Sequence, residues 1–288
     1  MKTVATVAEL RAALRPERAA AHRIGLVPTM GFFHDGHLAL MRAAREACHV
    51  VVVSLFVNPA QFGAGEDLDG YPRDRERDAR LAEEEGVDLL FAPERHEVYP
   101  PGFSTRVEVG GLTEVLCGDP SQRGPEHFHG VTTVVCKLFN MAAPDVAFFG
   151  QKDGQQAAVI RRMASDLDIP VEIEVLPTVR APDGLALSSR NAYLDPSDRK
   201  RAIALHRGLE AAEQAVAHGE RAPGAVRDAA LEAMAPFDVE PEYLALVHPD
   251  TLAPLDAVEG DVLVAVAARV GPTRLIDNTL IHTNGRPR

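Results

Sequence analysis

The chain has 288 residues, and 30 Lys and Arg against 42 Asp and Glu give it a formal charge of −12, a length that suits one large or two ordinary domains. Hydrophobic residues at 46% and charged residues at 25% are ordinary globular values and exclude a disordered, collagenous or coiled-coil chain. The acidic excess speaks against nucleic acid as a partner, whereas a small phosphorylated ligand needs only a few cations and backbone N–H groups in one cleft and stays open. No apolar run reaches the ~18 residues of a membrane helix, and Met1-Lys2-Thr3-Val4-Ala5 lacks the apolar block of a signal peptide, so no membrane partner and a cytoplasmic location are expected. Cys48, Cys117 and Cys136 show neither CxxC nor CxxH spacing, which predicts reduced thiols rather than a disulfide framework or a zinc site.

From Arg23 to Thr178 short apolar runs alternate with longer amphipathic stretches, the pattern of βαβ units around a parallel sheet. Ile24 to Val27 reads as the first strand. A helix follows over His37 to Ala47, with Leu38, Met41 and Ala44 or Arg45 at helical spacing. His49 to Val57 is apolar on both faces and reads as a central parallel strand. Val87 to Phe91 is the next strand, followed by a helix carrying the stripe Val131, Val134, Val135, Leu138 and Phe139, and then a strand over Val146 to Phe149. A helix from about Asp153 to Leu167, with Ile160, Met163, Ala164 and Leu167 toward the sheet, leads to a strand over Val171 to Leu176. Turn chemistry at Ala181-Pro182-Asp183-Gly184 then marks a change of character and a plausible hinge. One long helix is predicted from Pro196 to about His218, another around Gly224 to Met234, and strands at Tyr243 to Val247, Asp261 to Val270 and Arg274 to Ile281. The expectation is an α/β protein: a Rossmann-like parallel-sheet domain over 1–177 and a smaller α+β C-terminal domain over 178–288.

Three segments suit a phosphate. Val27-Pro28-Thr29-Met30-Gly31-Phe32-Phe33-His34-Asp35-Gly36-His37 is a strand end, a loop and a helix start, where free N–H groups and the helix dipole favour an anion. Gly36 lacks the Cβ that would keep a nucleotide at a distance. His34 and His37 either donate to charge growing on a phosphate or merely cap the helix, and nothing nearby supplies the third ligand that a metal would need. Gly150-Gln151-Lys152-Asp153-Gly154-Gln155-Gln156 is a second strand end, with Lys152 a point charge for a phosphate or a solvated lysine before an N-cap. Asp183 to Asn191 ends in Ser188-Ser189-Arg190, two hydroxyls and a cation that could wrap a polyphosphate or form a plain turn.

The H-D-G-H and S-S-R pair resembles the HIGH and KMSKS motifs of the nucleotidylyltransferase superfamily, which includes the class I aminoacyl-tRNA synthetases. More narrowly, PTMGxxHxGH, Phe56-Val57-Asn58-Pro59 with Gln61, Tyr71-Pro72-Arg73, His127-Phe128, Phe149-Gly150-x-Lys152-Asp153-x-Gln155-Gln156, Leu187 to Asn191 and Arg274-Leu275-Ile276-Asp277-Asn278 together resemble the pantothenate synthetases, the pantoate:β-alanine ligases, from about Val27 to Asn278.

That resemblance implies ATP-dependent formation of a pantoyl adenylate and then an amide with β-alanine. It makes His37 a proton donor at the phosphate centre and His34 a phosphate contact, with Lys152 and Arg190 the cations that offset repulsion between two anions. Met30, Gly31, Phe32, Phe33, His34, Asp35, Gly36 and His37, with Gly150, Gln151, Lys152, Asp153, Val179, Leu187, Ser188, Ser189 and Arg190, would line the ATP site. Gln61 and Gln156 match pantoate contacts, and Gln61 also a β-alanine contact; Gln156 lies four before Ile160, on the sheet-facing stripe. Mg2+ is expected on the ATP phosphates, with Asp78, seven after Tyr71, either its protein ligand or a helix-surface carboxylate, and a homodimer is expected from the relatives. An adenylyltransferase that stops at AMP transfer to a phosphate acceptor is the competing enzyme, and a nucleotide-binding regulatory module the competing class. Phe33, Ala60 and Gly154 depart from the family's usual residues, and the space left at Gly154 is expected to be filled by Phe32 or Phe33. Residues 117–125 form a longer connection than usual, in which Arg123 stands where the family has an anion contact.

Overall fold

The computed structural model describes residues 1–63 and 65–283, so the last residues of the expected second domain, 284–288, lie outside the described ones. Two structural elements precede the first expected strand: β1 (Lys2–Val4) and α1 (Val7–Ala19). The signal for α1 is the T-x-x-E of Thr6 and Glu9. Thr6 Oγ1 accepts the Glu9 N–H at 3.2 Å, and the Glu9 carboxylate accepts the N–H groups of Ala5 and Thr6, both at 3.0 Å, a reciprocal cap.

The chain continues through β2 (Ile24–Thr29), α2 (Asp35–Ala47), β3 (Val50–Leu55), α3 (Arg75–Glu84), β4 (Leu89–Phe91), α4 (Arg95–Val98), α5 (Pro125–Ala142), β5 (Val146–Gly150), α6 (Gly154–Asp166) and β6 (Glu172–Leu176). Six strands form one parallel sheet in the order β1-β4-β3-β2-β5-β6, the α/β Rossmann-like sheet expected. From β2 the chain winds outward through β3 and β4, and after α5 it returns to β5 on the other side of β2. The order therefore reverses between β2 and β5, and loops leaving the carboxyl ends of those neighbours are where such sheets place ligands. Val51 and Val53 of β3, Val27, Leu90 and Phe148 pack with Leu38, Met41 and Ala44 of α2 in one buried cluster. Leu167 departs from expectation: α6 stops at Asp166, Asp168 turns with φ +50°, and Leu167 is 52% exposed.

After a loop come α7 (Pro196–Arg201), α8 (Ala204–Ala217), α9 (Pro223–Met234) and an antiparallel sheet of β7 (Pro241–Val247), β8 (Asp261–Val270) and β9 (Thr273–His282), in that order. The single helix expected from Pro196 to His218 is interrupted at Ala202 and Ile203, whose ψ values of −22° and −20° tighten the turn. Leu205, Leu209, Ala212 and Val216 of α8 and Val226, Ala230 and Met234 of α9 cover Val262, Val264 and Val266 of β8.

The chain divides into two compact units. The first comprises Met1–Glu114, Gly118–Gly150 and Val159–Leu176, and the second Val115–Cys117, Gln151–Ala158 and the chain from Pro177 onward. The second unit thus takes in two short segments that the expected boundary at 177 leaves with the first.

Candidate active site

In the first unit, the loop after β2 is built on backbone strain and one carboxylate. Thr29 Oγ1 donates to the Ser54 carbonyl at 2.7 Å, and the chain then takes positive φ at two successive residues, Gly31 at +88° and Phe32 at +52°. The second is costly for a bulky residue unless its surroundings fix it. Asp78 of α3 does so: its Oδ2 accepts the Phe32 N–H at 2.6 Å and its Oδ1 the Phe33 N–H at 2.7 Å. Asp78 is 1% exposed, and burial pushes its carboxyl above the usual range against the pull of these two donors. Asp78, expected as the magnesium ligand, thus also anchors the backbone of this loop. Phe33, expected in the ATP lining, has its ring in the core and its N–H on Asp78.

The loop delivers His34 to the N-cap of α2. His34 Nδ1 accepts the Gly36 N–H at 3.1 Å, and His37 Nδ1 accepts the His34 N–H at 3.4 Å, with ring centroids 4.1 Å apart. A cap and a phosphate contact are thus compatible. A ring nitrogen that accepts carries no proton, so each imidazole, when neutral, carries its proton on Nε2. Gly36 also makes room for His34, since a Cβ there would sit 2.9 Å from the His34 ring. Asp35, at the first position of α2, is exposed.

Gln61 is held from several sides. Asn58, 1% exposed, donates to Gln61 Oε1 at 3.2 Å and to the Gly130 carbonyl at 3.0 Å, and accepts from the Tyr99 hydroxyl at 2.7 Å. Gln61 Nε2 lies 2.9 Å from Met30 Sδ, which joins the expected pantoate glutamine to the histidine loop. Helix α5 approaches so closely that a Cβ on Gly130 would lie 2.2 Å from the Ala60 carbonyl oxygen, leaving room only for glycine. Burial pushes the Tyr99 hydroxyl up to about 12, which keeps it a donor. Arg123 is not a lone anion contact: both its Nε, at 2.8 Å, and a terminal nitrogen bond the Glu66 carboxylate, and its other terminal nitrogen lies 3.1 Å from His127 Nε2. His127 Nδ1 donates to the Gln61 carbonyl at 2.7 Å, so its Nε2 accepts from Arg123.

In the second unit, Gln151–Asp153 is a 3-10 turn. Among the described residues the nearest acidic oxygen to Lys152 Nζ is Asp153 Oδ1, at 3.8 Å. Gly154 follows, and Asn278 and Gln151 stand over it: a Cβ there would lie 3.1 Å from Asn278 Oδ1 and 3.0 Å from Gln151 Nε2. The neighbouring glutamines divide their roles. Gln155 is buried, donating to the Val115 carbonyl at 2.7 Å and accepting the Cys117 N–H at 3.1 Å, which anchors the start of the long 117–125 connection. Gln156, the expected pantoate contact, stays partly exposed. From Val179 to Leu187 the chain folds back on itself, with Leu187 N–H donating to the Val179 carbonyl at 3.0 Å and Ala181 N–H to that of Leu185 at 2.9 Å. Ser188 then caps a 3-10 turn over Ser189–Tyr193, its Oγ accepting the Arg190 N–H at 3.3 Å, and Ser189 is buried. The structure thus joins Met30, His34, His37 and Gln61 in the first unit, and Val179 with Leu187 and Gln151 with Lys152 in the second.

A family model for pantoate-beta-alanine ligase matches residues 2–280. The chain belongs to the pantoate-beta-alanine ligase family. It is 55% identical over 287 residues to pantothenate synthetase 1 of Bradyrhizobium diazoefficiens, covering 98% of each chain. With the pantothenate synthetase of Heliobacterium modesticaldum it is 50% identical over 286 residues, covering 98% of this chain and all of the relative. The crystal structure of pantothenate synthetase from Thermus thermophilus superposes with a TM-score of 0.92 at 50% identity, covering 97% of this chain and 99% of the other. A pantoate-beta-alanine ligase from Francisella tularensis, solved with beta-gamma ATP and beta-alanine, gives 0.80 at 31% identity and 97% coverage of both. The chain is accordingly a ligase.

Proposed function

We propose that this ligase condenses (R)-pantoate with β-alanine at the expense of ATP, giving pantothenate, AMP and pyrophosphate through pantoyl adenylate. The observation that carries the reading is full-length likeness to ligases of this name, one of them solved with an ATP ligand and β-alanine. In the first step a pantoate carboxylate oxygen bonds the α-phosphorus as the bond to pyrophosphate breaks. In the second, the β-alanine amine attacks the acyl carbon, the C–N bond forms, the C–O bond to AMP breaks and the nitrogen gives up a proton.

The residues suit the barrier of the first step, two anions brought together. Nε2–H of His37 and His34 donates to phosphate oxygens beside the positive end of α2, and Lys152 and Arg190 supply full charges. Donors fixed in advance where charge develops are each worth ~10²–10³ in rate. The backbone of Gly150 to Asp153, Val179, and Leu187 to Arg190 completes the ATP contacts. Gln61, fixed by Asn58 and close to Met30, and Gln156 orient pantoate, with Gln61 also serving β-alanine. Magnesium accompanies ATP. Among the described residues no group of three or more His, Cys, Asp or Glu side chains is placed to hold a metal; a magnesium ion bound with ATP would draw on phosphate oxygens, water and at most one or two carboxylates, of which Asp78 is the candidate.

Pantoate-dependent exchange of labelled pyrophosphate into ATP, followed by β-alanine-dependent release of AMP, tests the reading. Absence of exchange overturns the adenylate, and exchange with no amide product favours the adenylyltransferase. A homodimer, measured by light scattering, and a cytoplasmic setting belong to the same proposal; no helix among the described residues is long and apolar enough to cross a membrane.

A further inference from the structure

The motif Arg274 to Asn278 carries family resemblance, yet the reaction just described assigns it no task. Its last two residues lie on β9, the edge strand of the small sheet, opposite Val266 and Ala265 of β8. Both are polar and both are buried, at 4% and 5% exposure, a placement that costs free energy unless every polar atom is matched.

The matching is complete and reaches two separate loops. Asn278 Nδ2 donates to the carbonyls of Gln151 and Lys152, each at 2.8 Å, and Asn278 Oδ1 accepts from Gln151 Nε2 at 2.8 Å. Two donors and one acceptor are used, and the pattern fits only this orientation of the amide. Asp277 receives Arg180 in a two-pronged ion pair, at 2.6 Å on Oδ2 and 3.0 Å on Oδ1, and Oδ1 also accepts the Asn278 N–H at 2.8 Å. Arg180 in turn donates to the Gly184 carbonyl at 3.2 Å, closing the fold-back that leads into Ser188, Ser189 and Arg190.

We propose that Asp277 and Asn278 are positioning residues for adenylate formation: adjacent side chains on one strand, of which Asn278 fixes the turn that presents Lys152 and Asp277, through Arg180, fixes the loop that presents Ser188 to Arg190. The inference rests on the functional reading above. Its physical basis is that a full charge aids a transition state only where it is held, and misplacement by about 1 Å can cost ~10²-fold. Lys152 has a flexible stem, so the accuracy of its ammonium depends on a backbone that Asn278 pins by two carbonyls. A strand already fixed by the sheet supplies both anchors.

The test is a double-mutant cycle in pyrophosphate exchange, using Lys152→Ala and Asn278→Ala, with Asn278→Asp as the shape-conserving variant should the alanine variant fold poorly. Asn278→Ala and Asn278→Asp are each expected to lower kcat by about 10–100-fold, with a smaller change in KM for pantoate. In the Lys152→Ala background the same substitution is expected to cost less than about threefold, because a residue acting through Lys152 has nothing left to position. Losses that multiply independently overturn the proposal. Ile281→Val, which trims the core from the same strand, should lower stability without this kinetic pattern. Hydrogen exchange gives a readout independent of activity: Gln151 to Asp153 lose protection in Asn278→Ala, and Leu187 to Arg190 in Asp277→Asn. Unchanged protection overturns the proposal even in an active enzyme, whereas a wild-type protein without exchange activity overturns the functional reading instead.

Discussion

Asp78 and Phe33 are joined by a 2.7 Å hydrogen bond from backbone N–H to carboxylate, and the second oxygen of Asp78 takes Phe32 at 2.6 Å. A buried acid on α3 thereby fixes the conformation of a loop whose next residue, His34, caps α2 and begins the histidine pair. Asp78→Ala leaves two N–H groups and a φ of +52° at Phe32 without support. It should lower unfolding free energy by ~1–3 kcal/mol in urea titration, with a parallel loss of kcat/KM. Asp78→Asn, able to accept but not at both oxygens, should fall between. The magnesium concentration for half-maximal activity separates the two roles: it rises in both variants where Asp78 holds the metal and stays constant where Asp78 only anchors the loop.

His34 combines a cap and a phosphate contact, and the two separate by substitution. His34→Asn keeps a side chain able to accept the Gly36 N–H, so stability should be preserved while exchange activity falls by ~10²-fold. His34→Ala should lose the activity and also about 0.5–2 kcal/mol of stability. Equal stability loss in both variants would show that the imidazole packs rather than caps.

Lys152 makes no close ion pair among the described residues, its nearest acidic oxygen being at 3.8 Å. Lys152→Ala should therefore leave the thermal midpoint within about a degree or two while lowering kcat by ~10²-fold or more. A variant that unfolds early would mark the side chain as structural.

Glu66 gives the stability an acid limb. Burial acts to raise its carboxyl, the Arg123 guanidinium outweighs that, and the group is held below its ordinary value. A depressed carboxyl contributes stability that is present above its unfolded value and lost as pH falls through the folded one. Asp78, raised by burial, has the opposite sign and loses its contribution as pH rises. The Glu66 contribution to the urea midpoint should thus be lost as the pH falls below the ordinary carboxylate range, and Glu66→Gln should make the midpoint less sensitive to acid than in the wild type.

Tyr99, pushed up to about 12 by burial, stays a donor to Asn58 at any assay pH. Tyr99→Phe removes that donor from a buried amide that itself holds Gln61. It should cost ~1–2 kcal/mol of stability and raise KM for pantoate more than KM for ATP in steady-state assays.

Much of this was legible along the chain. Period and composition mark β2, β3, β5 and β6 and the amphipathic helices, because apolar spacing is a local property. The strand-end loops holding His34, His37 and Lys152 could be read as anion sites for the same reason. The helix α1 is not among the expected elements, because the apolar alternation begins only at Arg23, although the Thr6 and Glu9 cap is a local signal that could have marked it. What the tertiary structure alone decided is which polar groups hold those loops still. Asp78 meets Phe32 across 46 positions, Arg123 meets Glu66 across 57, and Asn278 meets Gln151 across 127. No spacing rule links such partners, since they are neighbours only after the sheets have formed. The same distance explains why the backbone anchoring by Asp78 could not be read in the sequence: the donors that surround a carboxylate are assembled only once the fold has excluded water.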